Sequence, residues 1–237
     1  MPATQPKRPA PANLLLAALP AKTTGRLRAL ANEVELTFGD VLCNPGDRIR
    51  HIYFPTAGFI SLISRSKHQE SLEVGLVGNE GMMGTALLLG VQVEPLRAVV
   101  QGAGGALRIN ATAFRQELRD NRALYLQLNR YIYVIMHQLA QAAVCTRYHV
   151  VEARLARWLL MTGDRAHTDR FFATQELLAV MLGVRRAGVT RAASTLQQAD
   201  LIQYSRGQVW IRDRAGLEAA ACDCYATDQE TYAAVMS

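Results

Sequence analysis

The chain has 237 residues, half of them hydrophobic, and a formal net charge of +6, with a mean hydropathy of +0.03. That is long enough for two domains and apolar enough for true cores. No stretch approaches the roughly 20 apolar residues of a membrane span, so a membrane partner is not expected. Only Lys7, Lys22 and Lys67 are lysines, leaving 23 of the 26 basic residues as arginines. Guanidinium forks suit phosphate and carboxylate partners.

Residues 1–12, rich in Pro and Ala, read as a loose arm. Leu14 to Leu19 form a short apolar run that Pro20 interrupts and Leu27 and Leu30 continue at helical spacing. This reads as an opening helix rather than a signal peptide, which places the chain in the cytoplasm. From residue 13 to 118 short β runs alternate with turn residues: Val34–Thr37, Val41–Cys43, Ile52–Phe54, Phe59–Ile63, Leu72–Val77, Ala98–Gln101 and Ala106–Ile109. Gly58, Gly78 and the Gly102–Gly105 cluster punctuate them. That spacing predicts an antiparallel β-roll in an α+β chain.

Asn110 is a predicted N-cap for a helical stretch reaching about Gly163. Inside it, over 119–147, Tyr125, Leu128, Ile132, Ile135, Leu139 and Ala142 step alternately by three and four, as a homodimer seam requires. Leu124, Tyr131 and Val134 give the same helix a second apolar flank, facing its own roll. The pattern slips at Arg147-Tyr148-His149, a predicted hinge before residues 148–237.

Residues 171–211 carry the sharpest pattern. Thr174 is a predicted N-cap with Glu176 in the first turn. Leu177, Leu178, Val180, Met181 and Leu182 form a buried face, and Gly183 ends the helix where positive φ is wanted. A second helix follows with Val189, Ala192, Ala193 and Leu196 inward: a helix-turn-helix. Its other side carries Arg185, Arg186, Thr190, Arg191 and Ser194, and no acid occurs between Glu176 and Asp200. Such a face suits the major groove of double-stranded DNA. Gln203 to Ile211 reads as a hairpin whose tip, Ser205-Arg206-Gly207, forms a wing with Arg206 toward the DNA backbone. Residues 150–214 hold ten arginines against six acids, while 215–237 hold Glu218, Asp223, Asp228 and Glu230 without a base. The tail is therefore expected away from DNA.

Cys43, Cys145, Cys222 and Cys224 include no Cys-x-x-Cys pair. Cys222 and Cys224 alone are too few for zinc, so no metal set is expected, though redox sensing or shared ligation with a partner chain stays open. His51, His68 and His137 are the candidate haem ligands. No Ser-His-Asp, paired-carboxylate or Walker-type arrangement stands out, which makes an enzyme the least favoured class. An architectural DNA-binding protein without an effector stays open beside a sequence-specific regulator.

A β-rich first domain, a long seam helix and a C-terminal winged helix-turn-helix resemble the Crp/Fnr superfamily of bacterial transcription regulators. The resemblance is most specific from Thr174-Gln175-Glu176-Leu177 through Gly183 to Arg191 and at Ala199-Asp200-Leu201-Ile202. It is similar to a branch with a Cys-acidic-Cys-Tyr segment, here Cys222-Asp223-Cys224-Tyr225. It implies a homodimer on a two-fold symmetric operator, RNA polymerase as a further partner, and Thr174 and Gln175 beside the recognition helix. The family's base-reading positions fall on Arg186, Ala187 and Arg191. Ala187 replaces an acceptor for the cytosine amino group, so the operator should differ.

The resemblance also implies an effector pocket, a cyclic nucleotide-binding-like site at Gly78, Glu80, Gly81, Met82, Arg97 and Ala98. Leu96 falls where the family's phosphate-gripping arginine stands, and Arg97 one place on points to the other face of a strand. Cyclic AMP is therefore disfavoured, and the effector is unassigned. An iron–sulfur cluster would need an N-terminal cysteine cluster, where Cys43 stands alone; no cofactor is expected.

Overall fold

The computed structural model describes residues 13–66 and 71–237. The expected arm over 1–12 and the candidate haem ligand His68 lie outside the described residues. Two short helices open the described chain, α1 (Leu14–Ala17) and α2 (Ala21–Leu30), followed by strands β1 (Ala31–Leu36), β2 (Val41–Cys43), β3 (His51–Arg65), β4 (Ser71–Val77) and β5 (Arg97–Asn110). The strands form one antiparallel sheet in the order β1-β5-β3-β4, with β2 also on β5. This is the predicted roll.

Four of the predicted β runs are two long strands. Ile52–Phe54 and Phe59–Ile63 both belong to β3, and Ala98–Gln101 and Ala106–Ile109 both belong to β5. The glycines between them are close approaches between paired strands rather than chain reversals. A Cβ at Gly58 would sit 2.2 Å from the Gly102 carbonyl oxygen, and one at Gly104 would sit 2.2 Å from that of Ala57. The β3–β5 register shifts three times through this region, between Pro55 and Ile60. Bulges of this kind bend a strand without ending it.

Asn110 caps α3 (Ala111–Asp120), its side-chain oxygen accepting from the Thr112 amide. Asn121 is extended and caps α4 (Arg122–Tyr148), a helix of 27 residues. The helical path breaks where His149 and Val150 are extended, then resumes as α5 (Val151–Ala166). After it come β6 (Arg170–Phe172), α6 (Gln175–Leu182), α7 (Arg186–Gln198), β7 (Ile202–Ser205), β8 (Gln208–Ile211), α8 (Arg214–Ala220) and α9 (Cys224–Met236). Strands β6, β8 and β7 form the small wing sheet.

One core fills the helix-turn-helix unit, with Leu159, Leu178, Val189, Ala192 and Leu196 almost fully buried. Another lies between the roll, α2, α3 and α4, around Phe54, Phe114, Leu124, Leu128 and Val134. The acidic C-terminal segment is a packed helix rather than a free end. Helix α9 packs along α4, Asp228 is buried against Arg157 at 2.6 Å, and the Tyr232 hydroxyl donates to the Glu80 carbonyl at 2.8 Å.

Candidate functional site: a DNA-reading helix and an apolar cavity

Helix α6 starts at Thr174, whose hydroxyl oxygen accepts from the Leu177 amide at 3.1 Å. It ends at Gly183 in the left-handed conformation, φ 61°. Three residues later α7 begins, with Arg185 in the extended N-cap position. The tight glycine turn therefore orients α7 across α6. Val189, Ala192, Ala193 and Leu196 are buried, while Arg185, Arg186, Ala187, Thr190, Arg191 and Ser194 are exposed. A 3.6-residue period allows no other division of this sequence.

The exposed face is internally organised. Gln175 Oε1 accepts from Arg186 Nε at 3.2 Å and from the Thr190 hydroxyl at 3.0 Å. Arg186 also pairs with Glu176 at 2.9 Å, both side chains well exposed. An exposed pair of this kind is worth under about 1 kcal/mol, so DNA can displace it. The wing turns at Arg206 (φ 50°) and Gly207 (φ 81°), two successive positive values as in a type I′ hairpin. Arg206 is exposed at its tip. Trp210 lies between two guanidinium groups, Arg170 at 4.1 Å and Arg212 at 4.2 Å. The prediction missed this basic pair, because its two arginines meet the ring only through strand pairing and the end of β8.

The effector site differs from expectation. A cavity of about 270 Å³ lies between the roll and α4, lined by Leu62, Val74, Met82, Leu96, Tyr131, Ile135 and neighbours. Of the six expected residues only Met82 lines it. Arg97 is exposed at the start of β5, and Ala98 is wholly buried in the roll's own core. Glu94 is the single charged residue in the lining among the described residues. Desolvation pushes its carboxyl up, against a backbone hydrogen bond from Leu96. Among the described residues, no lysine or arginine lines the cavity.

Residues Gly78 to Met82 instead join the roll to the helices. Arg165 of α5 donates to Glu80 from Nε at 2.8 Å. A Cβ at Gly81 would overlap the Tyr131 hydroxyl at 1.9 Å, and the Met82 amide donates to that hydroxyl at 3.3 Å. Trp158 Nε1 donates to Glu73 at 2.8 Å, and Arg154 donates to the Leu182 carbonyl at the end of α6. The glycine turn touches β4, where a Cβ on Gly183 would meet Leu72 at 2.9 Å. Burial pushes the Glu73 carboxyl up to about 7, opposed by the Ser61 hydroxyl, then by the Trp158 hydrogen bond and by Arg165 and Arg157.

The six residues expected to form a seam on α4 do not share one exposed face. Leu128 is fully buried against its own roll, so it cannot meet a partner chain. Ile132 and Ile135 line the cavity. Tyr125 and Leu139 are exposed, and Ala142 is half-buried. The outward stripe runs Leu126, Asn129, Tyr133, Met136, Ala140 and Ala143, again in steps of three and four. Met136 is 63% exposed and Tyr133 56%. The second apolar flank predicted at Leu124, Tyr131 and Val134 is the buried inner face.

Cys222 and Cys224, too few for zinc by themselves, do not stand alone in the fold. Cys145 and His149, one turn apart at the end of α4, meet Cys222 and Cys224, and the four ligand atoms lie within 4.8 Å of one another. The Cys145 and Cys222 sulfurs are 3.5 Å apart. Hydrogen bonding with Cys222 pulls the Cys145 thiol well down, and the same bond holds the Cys222 proton and pushes that thiol up.

The family model for the Crp-like helix-turn-helix domain matches residues 153–220, and that for the cyclic nucleotide-binding domain matches residues 33–121. No curated protein sequence matches the chain. Among solved structures it is similar to a crp/fnr family transcriptional regulator from Eubacterium rectale, with a TM-score of 0.69 and 16% identity over 87% of this chain and 96% of that one. FixK2 from Bradyrhizobium japonicum gives 0.68 and 13% over 81% and 98%. The c-di-GMP responsive regulator CLP from Xanthomonas campestris gives 0.67 and 16% over 81% and 99%. With both domain models matched in order on this fold, the chain belongs to the Crp/Fnr superfamily. It is a Crp-family transcription regulator with a cyclic nucleotide-binding-type domain and a DNA-binding helix-turn-helix. No helix among the described residues is long and apolar enough to cross a membrane.

Proposed function

We propose that this regulator acts as a homodimer on a two-fold symmetric operator, each α7 reading one half-site in the major groove. The observation that carries this is the exposed face of α7, where Arg186, Thr190, Arg191 and Ser194 stand together above a fully buried opposite face. Arg186 and Arg191 suit guanine edges, and Arg185 and Arg206 suit phosphates. The outward stripe of α4 is the surface for the second copy, because its three-four spacing is self-complementary about a two-fold axis.

The effector in this reading is small, largely apolar and without a phosphate. Glu94 lines the cavity and, among the described residues, no lysine or arginine lines it, so an anion there would be repelled without a compensating charge. Ile132, Ile135, Met136 and Leu139 belong both to the cavity wall and to α4. A bound molecule would therefore press on the helix that spaces the two recognition helices, about 34 Å apart on adjacent half-sites. The chain works by binding, with no catalytic step of its own. RNA polymerase is the further partner implied, and the cytoplasm the place of action.

Selection of bound duplexes from random DNA tests the reading. The expected product is an inverted repeat, and Arg186→Ala with Arg191→Ala should lower affinity for it by about 100-fold or more, with much smaller loss on unrelated DNA. Equal affinity of wild type and double variant for the selected site would overturn the assignment of α7.

A further inference from the structure

We propose that Cys145, His149, Cys222 and Cys224 form a closed tetrahedral site for Zn²⁺ that ties the end of α4 to the start of α9 across the hinge. Cys145 and His149 are four apart at the end of one helix, and so share a face. Cys222 lies in the connection that joins α8 to α9, and Cys224 is the first residue of α9. Neither pair suffices alone; the fold supplies four ligands by laying α9 along α4.

The distances fit the ion. Four-coordinate Zn²⁺ with sulfur at about 2.3 Å and nitrogen at about 2.0 Å sets ligand separations of about 3.8 Å for S···S and about 3.5 Å for S···N. The Cys145–Cys222 separation is 3.5 Å, and Cys224 Sγ lies 3.4 Å from His149 Nδ1. All four ligand atoms converge within 4.8 Å.

The surroundings also suit a thiolate-rich ion. His149 turns Nδ1 inward and holds Nε2 3.7 Å from the Asp223 carboxylate. At that separation the carboxylate is an ion-pair neighbour of the imidazole rather than a hydrogen-bond partner. Gln141 Nε2 donates to Cys224 Sγ at 3.2 Å. Arg157 lines the same cleft as Cys145, already paired there with Asp228 at 2.6 Å. Four protein ligands leave no open position for water, which makes the ion a structural one. It would hold the connection beyond α8 against the hinge at His149 and Val150, the segment that sets the recognition unit relative to α4.

The competing state is a Cys145–Cys222 disulfide, which the same sulfur separation would permit after oxidation. The test uses the full chain purified under reductant without chelator, with zinc measured by plasma mass spectrometry. One zinc per chain is expected, with Cys145→Ser and Cys222→Ser each losing most of it and Cys43→Ser keeping it. Replacing zinc with Co²⁺ should produce the visible bands of a tetrahedral site and near-ultraviolet thiolate charge transfer, with proton release on binding. The wild-type cobalt spectrum decides alone if a variant fails to fold. Zinc-free wild type lacking those cobalt bands, unaltered metal content in well-folded serine variants, or a disulfide as the resting state under reductant would each overturn the site.

Discussion

Helices α7 and α4 are both amphipathic, and they differ in how many partners each must satisfy. Helix α7 buries one face, at Val189, Ala192, Ala193 and Leu196, and leaves the rest exposed. Helix α4 buries Leu124, Leu128, Tyr131 and Val134 against the roll, lines a cavity with Ile132, Ile135 and Met136, and presents Tyr133 and much of Met136 outward. One apolar stripe has one solution in a 3.6-residue period. Two adjacent stripes have two, and only the packed roll selects between them.

The contrast is sharpest at Leu128 and Met136. Leu128→Ala should cost about 2–5 kcal/mol of stability, read by chemical denaturation, because it opens a cavity in a closed core. Met136→Glu should leave the fold intact but halve the mass in light scattering and weaken operator binding. If Met136→Glu stays dimeric while an exposed charge elsewhere on α4 dissociates the chain, the outward stripe is assigned wrongly.

The junction between the two regions should respond to pH. Glu73 is raised from its ordinary value of 4.5 to about 7, with Oε2 enclosed and unpartnered. A folded-state value above the unfolded one means the native chain holds the extra proton. Stability from this group is present below pH 4.5 and is lost as pH rises toward 7, by at most about 3 kcal/mol. Glu73→Gln keeps an oxygen for the Trp158 N–H and should flatten that decline. Melting temperatures of the two proteins between pH 5 and 8 check it; parallel curves would remove Glu73 from the junction's titration.

The smallest expected effect lies on α7 itself. Ala187→Glu restores a carboxylate acceptor beside Arg186 and Arg191, and should shift preference at one base of each half-site toward cytosine by about 1–3 kcal/mol. Sequencing of selected duplexes reads this directly, and an unchanged motif would place residue 187 away from the base edges.

Much of the helix-turn-helix was legible because its determinants are local. Thr174 caps within three residues, Gly183 takes its positive φ within one turn, and the buried face of α7 lies within eight positions. The roll was legible as a class, but its glycines misled. Gly102 and Gly104 serve inter-strand approach to Phe59 and Ala57, a need that arises only once β3 and β5 pair. The cassette from Gly78 to Met82 was assigned to a ligand by resemblance. Its glycines are occupied by Arg165 and Tyr131, which belong to helices about 50 to 87 positions away in the chain.

By itself, then, the chain's sequence determined the helix-turn-helix near Gly183, the arginine-bearing face of α7, the antiparallel roll and the long helix that follows. Each depends on spacing within a few residues. Tertiary structure decided which face of α4 stays free, that the cavity between roll and helix is largely apolar with one carboxylate among the described residues, and that three cysteines and a histidine meet where α9 crosses the hinge. Those outcomes depend on which distant segments share a surface. Cys145 and Cys222 are 77 positions apart in the chain and 3.5 Å apart in the fold, a proximity that local periodicity cannot encode.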